Sequence, residues 1–318
     1  MHDLYTLAET FFNQFPTRFR RKAKQAFLVH CGEEFRKFGY GNADIVIQKN
    51  KGLGGENFIV WPPERTDAEI FITAHYDTPP RSGFFVLAAP LVGQAWSMAI
   101  MPIIGLISGF PLALLLNLFF SQVLGLSGLL SFLLLNVVLA IPTIVCLNLA
   151  NKHNHNDNGS GLLGVFHIAA QVARDPKLKS KVAFVLFDNE EWGLFGARAF
   201  AKCRYKQNCS ANAPVINLDC IGNGDTVLLT AKTKHNIWQA LGIHLQDQGF
   251  NVTQKKSFLT FPSDHLCFPR GVMLAFARKS KFGSLYLPRI HSGRDTVCDI
   301  DTVARLGDAV VEYMGTLP

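Results

Sequence analysis

The sequence predicts an α/β protein with a mixed, centrally parallel β-sheet sandwiched by helices, plus an inserted α-helical transmembrane hairpin. Apolar runs of strand length alternate with helical segments, which is typical of this class. The run KVAFVLFD (181–188) is almost wholly apolar, as expected of a central strand covered on both faces. The 70 residues between Arg81 and Lys152 include no Asp, Glu, Lys, Arg or His.

The elements follow from periodicity and from Gly and Pro punctuation. Residues 1–40 are predicted to be helical, ending near the glycines of FGYGN. Three strands are predicted next: DIVIQ (44–48), NFIVW (57–61) and EIFITAH (69–75). After the uncharged block we expect helices at 161–173, 193–203, 236–249 and 301–317, and strands at 181–188, 213–222, 226–231 and 272–278.

The uncharged block is predicted to be a membrane element. Segments 97–126 and 128–150 are each long enough to cross a hydrocarbon layer, which needs about 20 apolar residues. Gly125, Ser127 and Gly128 suit a turn between them, and a buried core hairpin is the alternative. The predicted organisation is therefore an α/β domain in two parts, 1–81 and 152–318, interrupted by a hydrophobic transmembrane hairpin at 82–151.

The formal net charge of +7 and the basic clusters TRFRRKAK (17–24) and KSKVAF (179–184) raise the question of nucleic-acid binding. No zinc finger, phosphate-binding loop or aromatic-basic repeat accompanies the charge, so no nucleic-acid partner is predicted. Basic residues near a bilayer are more simply an orientation signal or a lipid contact. The seven cysteines lack a CxxC pair and do not indicate a disulfide framework, which favours a reducing compartment.

Acids and histidines recur where predicted strands end or helices begin. They lie in AHYDT (His75, Asp77), NHNDNGSG (Asp157), DNEEWG (Glu190, Glu191), NLDCIG (Asp219) and RIHSGRDT (His291, Asp295). Each alone is more often a structural residue or a cap. Together, two imidazoles and three carboxylates, one of them bridging, would suit two divalent ions with room for a hydroxide. A further carboxylate, not bound to metal, would take the proton from the water.

The segments AHYDT, NDNGSG, DNEEWGLFGA, NLDCIG, SDHLCF and IHSGRDT resemble, in order, the motifs of the co-catalytic di-zinc aminopeptidase family. That family includes bacterial leucyl aminopeptidases, glutamate carboxypeptidase II and glutaminyl cyclases. The resemblance covers roughly 40–80 and 152–318. It implies a zinc exopeptidase-like fold and an aminopeptidase, with two Zn²⁺ per chain and a peptide or small acyl-amine substrate. Together with the uncharged block, it predicts a membrane-anchored enzyme.

The resemblance also implies a role for each residue. His75 and Asp219 would hold one zinc, Glu191 and His291 the other, and Asp157 would bridge them. Glu190 would be the general base for a zinc-activated hydroxide, and Asp77 would orient His75. Asp264 and Asp295 fall at other recurrent acidic positions, and a cis peptide is expected between Asp157 and Asn158.

The chain departs from the family in two places. His75 and Asp157 are 82 positions apart, with the uncharged block between them, whereas most relatives have a short loop there. Because both residues must reach one site, the number of membrane crossings must be even. Two spans are predicted, and a third apolar stretch would be re-entrant or interfacial. Ile290 stands where some relatives have a carbonyl-polarising tyrosine.

The flanking charges predict the orientation. Arg81 and Lys152 border the hairpin on the side of the α/β domain, and the hairpin tip is uncharged. The positive-inside rule therefore places the catalytic domain in the cytoplasm, and the N-terminus shows no secretory pattern. A glutaminyl cyclase with one zinc and a non-catalytic membrane scaffold are the alternatives. The scaffold is disfavoured because none of the six key positions is lost.

Overall fold

The computed structural model describes residues 3–207, 212–256 and 261–317. The first part contains two helices, three strands and the helices of the insertion: α1 (Leu4–Gln14), α2 (Arg21–Lys37), β1 (Ile45–Lys49), β2 (Glu56–Val60), β3 (Ile70–His75), α3 (Ala89–Val92), α4 (Gln94–Leu118) and α5 (Gly128–Asn148). The second part alternates helices and strands: α6 (Gly161–Val172), α7 (Pro176–Lys179), β4 (Val182–Phe187), α8 (Phe195–Gln207), β5 (Val215–Leu218), β6 (Thr226–Ala231), α9 (Asn236–Asp247), β7 (Val252–Lys256), β8 (Gly271–Lys279), β9 (Leu285–Tyr286) and α10 (Ile300–Gly315).

The strands form one mixed sheet in the order β1-β2-β4-β3-β5-β8-β6-β7, with β9 paired to β8. The centre is parallel, since β4, β3, β5 and β8 run in one direction. The edges contain the antiparallel pairs β1–β2, β2–β4 and β6–β8. The predicted mixed sheet with a parallel centre is confirmed. It brings the carboxyl ends of β3, β4 and β5 to the same edge.

Helices cover both faces of the sheet, and β4 shows how the sequence achieves this. Val182, Phe184 and Leu186 pack into the larger core with α1, α2, α6, α9 and α10. Their neighbours Ala183, Val185 and Phe187 pack into a second core against α8. Successive side chains of a strand point to opposite faces, so a strand buried on both sides is apolar at every position.

The uncharged block forms a helical hairpin that leaves and rejoins the domain at one place. Helix α4 continues through a π-helical stretch, Phe119–Val123, and α5 follows after a turn in which Gly125 has φ 63°. The ends of the insertion are joined by an antiparallel bridge between Pro80 and Ala150, and the Arg81 amide donates to the Leu149 carbonyl at 3.0 Å. The chain therefore returns to the point from which it departed.

The first arm of this hairpin meets the length and hydropathy of a membrane span. Gln94–Val123 is a 30-residue apolar helix with a mean hydropathy of 2.2 over its most apolar window, and 6% of that window is buried. A helix of this length extends about 45 Å. Since so little of it is covered by protein, it is not a core helix of the α/β domain.

Several boundaries differ from the sequence prediction. The prediction missed β7, β9 and α7, because VTQKK is polar and the other two segments contain two and four residues. The apolar residues 83–92, which precede α4, form a short 3-10 helix (Gly83–Val86) and α3.

The interpretation of cluster 17–24 as an orientation signal or lipid contact is wrong for two of its bases. Arg18 is fully buried and Lys24 is nine-tenths buried, and both bond to residues of the α/β domain. Their charges therefore act inside the domain, not at its surface.

Candidate metal centre

The parallel centre of the sheet assembles the predicted site residues at one edge. His75 is the last residue of β3 and pairs in register with Phe187, the last residue of β4, so the DNEE segment begins beside it. Asp219 directly follows β5, the other neighbour of β3. Ligand sites in α/β sheets lie outside the carboxyl ends of such strands.

Asp157 lies between the two histidines. Its Oδ1 is 3.3 Å from Nε2 of His75, and its Oδ2 is 3.0 Å from Nε2 of His291. His75 Nε2 is also 3.8 Å from Oδ1 of Asp219, and His291 Nε2 is 3.2 Å from Oε2 of Glu191. The five residues predicted as metal ligands thus converge, with one carboxylate facing both imidazoles.

The donor atoms form two overlapping groups that share Asp157. Ligand atoms of His75, Asp157 and Glu191 lie within 4.8 Å of one another, as do those of Asp157, Asp219 and Cys220. The sequence prediction did not include Cys220. Burial raises the pKa of its thiol well above the ordinary value, which disfavours the thiolate that binds metals.

Asp77 connects the end of β3 to the DNEE segment (188–191), which we call the acidic loop. Its carboxylate oxygens accept from the backbone amides of Glu190, at 3.1 Å, and Glu191, at 3.4 Å. Its carbonyl oxygen lies 3.2 Å from Nδ1 of His75. With Nδ1–H donating to this carbonyl, Nε2 of His75 is unprotonated, and its lone pair can bind a metal ion.

Asp295 holds the loop that carries Asp157. Its two carboxylate oxygens accept from the backbone amides of Asn156 and Asp157, each at 3.0 Å. The Asn158 side chain then ties the same loop to the end of β5, donating to the Leu218 carbonyl and accepting from the Cys220 amide. The expected cis peptide lies between Asp157 and Asn158.

A buried serine and a buried acid lie behind Asp219. Ser263 donates to Oδ2 of Asp219 at 2.6 Å, a contact that the sequence motifs did not reveal. Asp264 is fully buried, and neither of its carboxylate oxygens has a hydrogen-bond partner among the described residues. Burial and the charges of Asp77, Asp219 and Glu191 raise its pKa well above the ordinary value.

Three non-glycine residues at the site adopt left-handed backbone conformations: Asn189 (φ 54°), Cys220 (φ 58°) and His291 (φ 55°). Such conformations are uncommon outside glycine and concentrate at functional sites. Each one lies in or beside a segment that carries a predicted ligand. The unusual backbone conformations therefore occur in the three loops that carry Glu191, Asp219 and His291.

The cluster is electrostatically unbalanced without a cation. Burial raises the pKa of Glu191 to about 7, with the charge of Asp157 acting in the same direction. Burial and nearby Asp264 likewise raise the pKa of Glu190 well above its ordinary value. Burial alone would lower the pKa of His75, but Glu190 and the adjoining aspartates raise it well above the ordinary value. A bound divalent cation would offset this concentration of buried negative charge.

The donor set fits divalent metal ions. Glu191 Oε1 is buried without a hydrogen-bond partner among the described residues, which leaves one carboxylate oxygen available. Imidazole nitrogens and carboxylate oxygens are ligands that zinc accepts. A buried carboxylate without a partner is costly, and a bound cation removes that cost.

Two N-terminal residues support this edge from behind. The fully buried Arg18 guanidinium donates to the carbonyl of Tyr76 at 2.6 Å and to Oδ1 of Asn154 at 2.8 Å. Lys24 pairs with Asp188 and donates to Oδ1 of Asn189 at 2.6 Å. Arg18 thus joins the loops that follow β3 and precede Asp157, and Lys24 anchors the start of the acidic loop.

The insertion also contacts the centre. Ser82 Oγ lies 3.1 Å from Nδ1 of His291, so Nδ1–H can donate to it while Nε2 faces Asp157 and Glu191. Sequence motifs could not reveal this contact, because the two residues are 209 positions apart.

Replacing Ser82 by alanine is expected to weaken metal binding about tenfold, since partners of a ligand histidine typically contribute 10- to 100-fold. Competition with a fluorescent chelator measures the effect. Ser108→Ala is the control, because its exposed hydroxyl bonds to the Gly105 carbonyl within the hairpin. Equal affinities for wild type and Ser82→Ala would show that Ser82 does not orient His291.

The chain is similar to known proteins in sequence and in fold. Residues 150–314 match Peptidase family M28. No curated protein matches the chain. Among solved structures, a Zn-dependent exopeptidase from Parabacteroides distasonis is 16% identical with a TM-score of 0.65, covering 99% of this chain and 97% of that chain.

Two further structures have the same fold. Porphyromonas gingivalis glutaminyl cyclase is 17% identical with a TM-score of 0.63, covering 98% of this chain and 96% of that chain. The Legionella pneumophila LapA aminopeptidase is 13% identical with a TM-score of 0.59, covering 98% of this chain and 67% of that chain. These structural likenesses establish the fold, and the sequence match spans more than half of the chain. The resemblance inferred from the motifs is confirmed, and the chain belongs to Peptidase family M28.

Proposed function

We propose that this chain is a membrane-anchored, zinc-dependent aminopeptidase whose centre holds two zinc ions. The observation that carries the proposal is the position of Asp157, which directs one carboxylate oxygen to each of two histidines, at 3.3 and 3.0 Å. A carboxylate shared in this way suits a bridging ligand between two cations. His75 and Asp219 would complete one position, and Glu191 and His291 the other.

Zinc ions bound there would polarise the scissile carbonyl and acidify a water molecule. The chain's own residues supply the positioning. Asp77 contacts Nδ1 of His75, and Ser82 contacts Nδ1 of His291, so both imidazole rings are held in orientation. Asp295 and Asn158 fix the loop that carries Asp157, so the ligand geometry is set before any cation binds.

Glu190 is the proposed general base. It lines the same cavity as Asp157, Glu191 and His291. Its backbone amide donates to Asp77, which fixes the backbone at this position next to the metal centre. Glu190 would take a proton from the attacking water and return it to the leaving amine, which is the acid–base task of a peptidase.

Membrane anchoring through residues 82–151 is part of the proposal. The 30-residue apolar helix Gln94–Val123 is long enough to span a bilayer, and α5 includes no charged residue over its 21 positions. Exposing so much apolar surface to water is unfavourable for a monomeric soluble protein. The basic residues Arg81 and Lys152 at the domain side favour a cytoplasmic catalytic domain.

The experiment uses the full chain purified in detergent, stripped with a chelator and titrated with zinc. We expect two zinc ions per chain by elemental analysis and hydrolysis of aminoacyl reporters that depends on zinc. Peptides that begin with glutamine and N-acylated amines are assayed in parallel. One zinc per chain with cyclisation of glutaminyl peptides would support a glutaminyl cyclase instead. Full occupancy without turnover of any substrate would contradict the enzymatic assignment.

A further inference from the structure

The insertion forms one wall of the cavity at the candidate metal centre. The cavity has a volume of about 490 Å³ and is lined on one side by Glu190, Glu191 and His291. Phe85 and Met98, from the beginning of the insertion, line it on another side. A cavity of this size holds a group much larger than a small side chain.

The part of the insertion that forms this wall is fixed to the α/β domain. The backbone amides of Lys281 and Phe282 donate to the carbonyls of Pro90 and Leu91, at 2.9 and 3.2 Å. Val86 packs against a buried apolar cluster that includes Met273, Leu287 and Ile290. These contacts hold the wall against the α/β domain.

The cavity is apolar away from the metal ligands. Phe261, Met273 and Leu287 of the α/β domain also line it, beside Phe85 and Met98. Arg198 is the one basic side chain among its described lining residues, apart from His291. Since apolar walls favour apolar groups by desolvation, this region suits a hydrocarbon chain.

The mouth of the cavity continues onto the exposed apolar surface of the insertion. Met98 and Phe85 line the cavity and are nevertheless 42% and 45% exposed. Leu87, next to this wall at the beginning of the insertion, is 68% exposed. An apolar path therefore runs from the helix that would lie in the lipid layer to the carboxylates of the centre.

From this continuity we propose that the cavity binds a long apolar chain of an amide substrate and admits that chain from the lipid layer. Phe85 and Met98 are the specificity-determining residues. The inference rests on the proposed function, because it assigns the substrate class of the same site. It makes the hairpin part of the substrate-binding site as well as an anchor.

The kinetic test compares alanyl, norvalyl, norleucyl and aminooctanoyl nitroanilides with the full chain in detergent micelles. Each methylene buried in the cavity should raise kcat/KM about fourfold. Met98→Ala should lower the ratio of kcat/KM for the aminooctanoyl reporter to kcat/KM for the alanyl reporter about tenfold. Leu106→Ala is the matched control, since Leu106 is 76% exposed on the same helix and does not line the cavity.

Added detergent tests whether the reporter partitions into the apolar phase before it reaches the site. At constant total reporter, more micelles dilute a reporter that reaches the site from the micelle. The aminooctanoyl rate should then fall while the alanyl rate stays constant. Hydrolysis without dependence on chain length, or equal losses in Met98→Ala and Leu106→Ala, would overturn the assignment of the cavity. Constant aminooctanoyl rates would overturn entry from the lipid layer.

A second readout does not depend on turnover. An octylamine that carries an aliphatic diazirine is photolysed with the full chain, and the labelled residues are located by mass spectrometry. Labelling at Phe85 or Met98, suppressed by excess unlabelled octylamine, is the expected result. Labelling confined to residues 103–145 would show partition on the hairpin surface and overturn the inference. If no reporter is hydrolysed, the proposed function fails, and this labelling still decides whether the cavity binds apolar chains.

Discussion

Replacement of Glu190 by glutamine is expected to lower kcat about 10²- to 10⁴-fold, the contribution of a positioned acid–base group. The amide has nearly the same shape but cannot accept a proton from water. The Asp77 contact to the Glu190 backbone amide does not involve the changed side chain, so the loop should keep its conformation. Turnover of an aminoacyl reporter and zinc content of the same preparation are the two measurements.

The neighbouring acid provides the matched comparison. Glu191 Oε2 lies 3.2 Å from His291 Nε2, within the group of donor atoms around Asp157. Glu191→Gln is therefore expected to lose zinc as well as activity, whereas Glu190→Gln should lose activity alone. Glu190→Gln with near wild-type turnover would remove Glu190 from the role of base. Loss of zinc in Glu190→Gln would instead make it a ligand.

Replacement of Asp157 by asparagine should abolish the shared position between the two histidines. The wild-type side chain presents an oxygen to each Nε2 atom, and asparagine keeps one oxygen and places an amide NH₂ at the other. We expect zinc content to fall to one ion or fewer and activity to fall with it. Elemental analysis after gel filtration measures the first effect.

Thermal unfolding provides an independent measurement of the same variant. A ligand at 1,000 times its Kd stabilises the native state by about 4 kcal/mol, so zinc should raise the Tm of the wild-type protein. The increase should shrink in Asp157→Asn and remain full-sized in Asp247→Asn, whose carboxylate is exposed on α9. Equal Tm increases in the wild type and Asp157→Asn would exclude a bridging position.

The sequence predicted the convergence of these acids and histidines better than it predicted the full sheet. His75, Glu191 and Asp219 follow apolar runs, and the ends of parallel strands meet at one edge, so their convergence could be inferred before any coordinates. Strand β7 was missed because VTQKK is polar and contains no apolar run. Its pairing with β6 depends on position in the sheet, which no local pattern encodes.

The residues that hold the ligands in place were largely invisible to sequence reasoning. Ser82 and Ser263 are ordinary hydroxyl residues whose partners lie 209 and 44 positions away. Arg18 and Lys24 belonged to a basic run, and charge alone could not separate the buried members from the exposed ones. Only the packing of Arg18, which precedes α2, and of Lys24, which is on α2, against the site edge makes that distinction.

The insertion shows the reverse case, in which composition indicated the helices. An uncharged block interrupted by Gly125, Ser127 and Gly128 predicted two helices and a turn, and α4 and α5 lie on either side of that turn. The number of membrane crossings remains a prediction, because it depends on a bilayer and not on the helices alone.

The bridge between Pro80 and Ala150 allows the length of the insertion to vary. Because the insertion begins and ends on hydrogen-bonded neighbours, its length has no effect on the order or register of the sheet strands. Closing a longer loop adds little entropy cost, since that cost grows only with the logarithm of length. The outer part of the hairpin, beyond the cavity wall, can therefore be lengthened, shortened or exchanged without disturbing the ligands. Under the proposed membrane anchoring, adaptation to membranes of different thickness is then separable from the chemistry at the sheet edge.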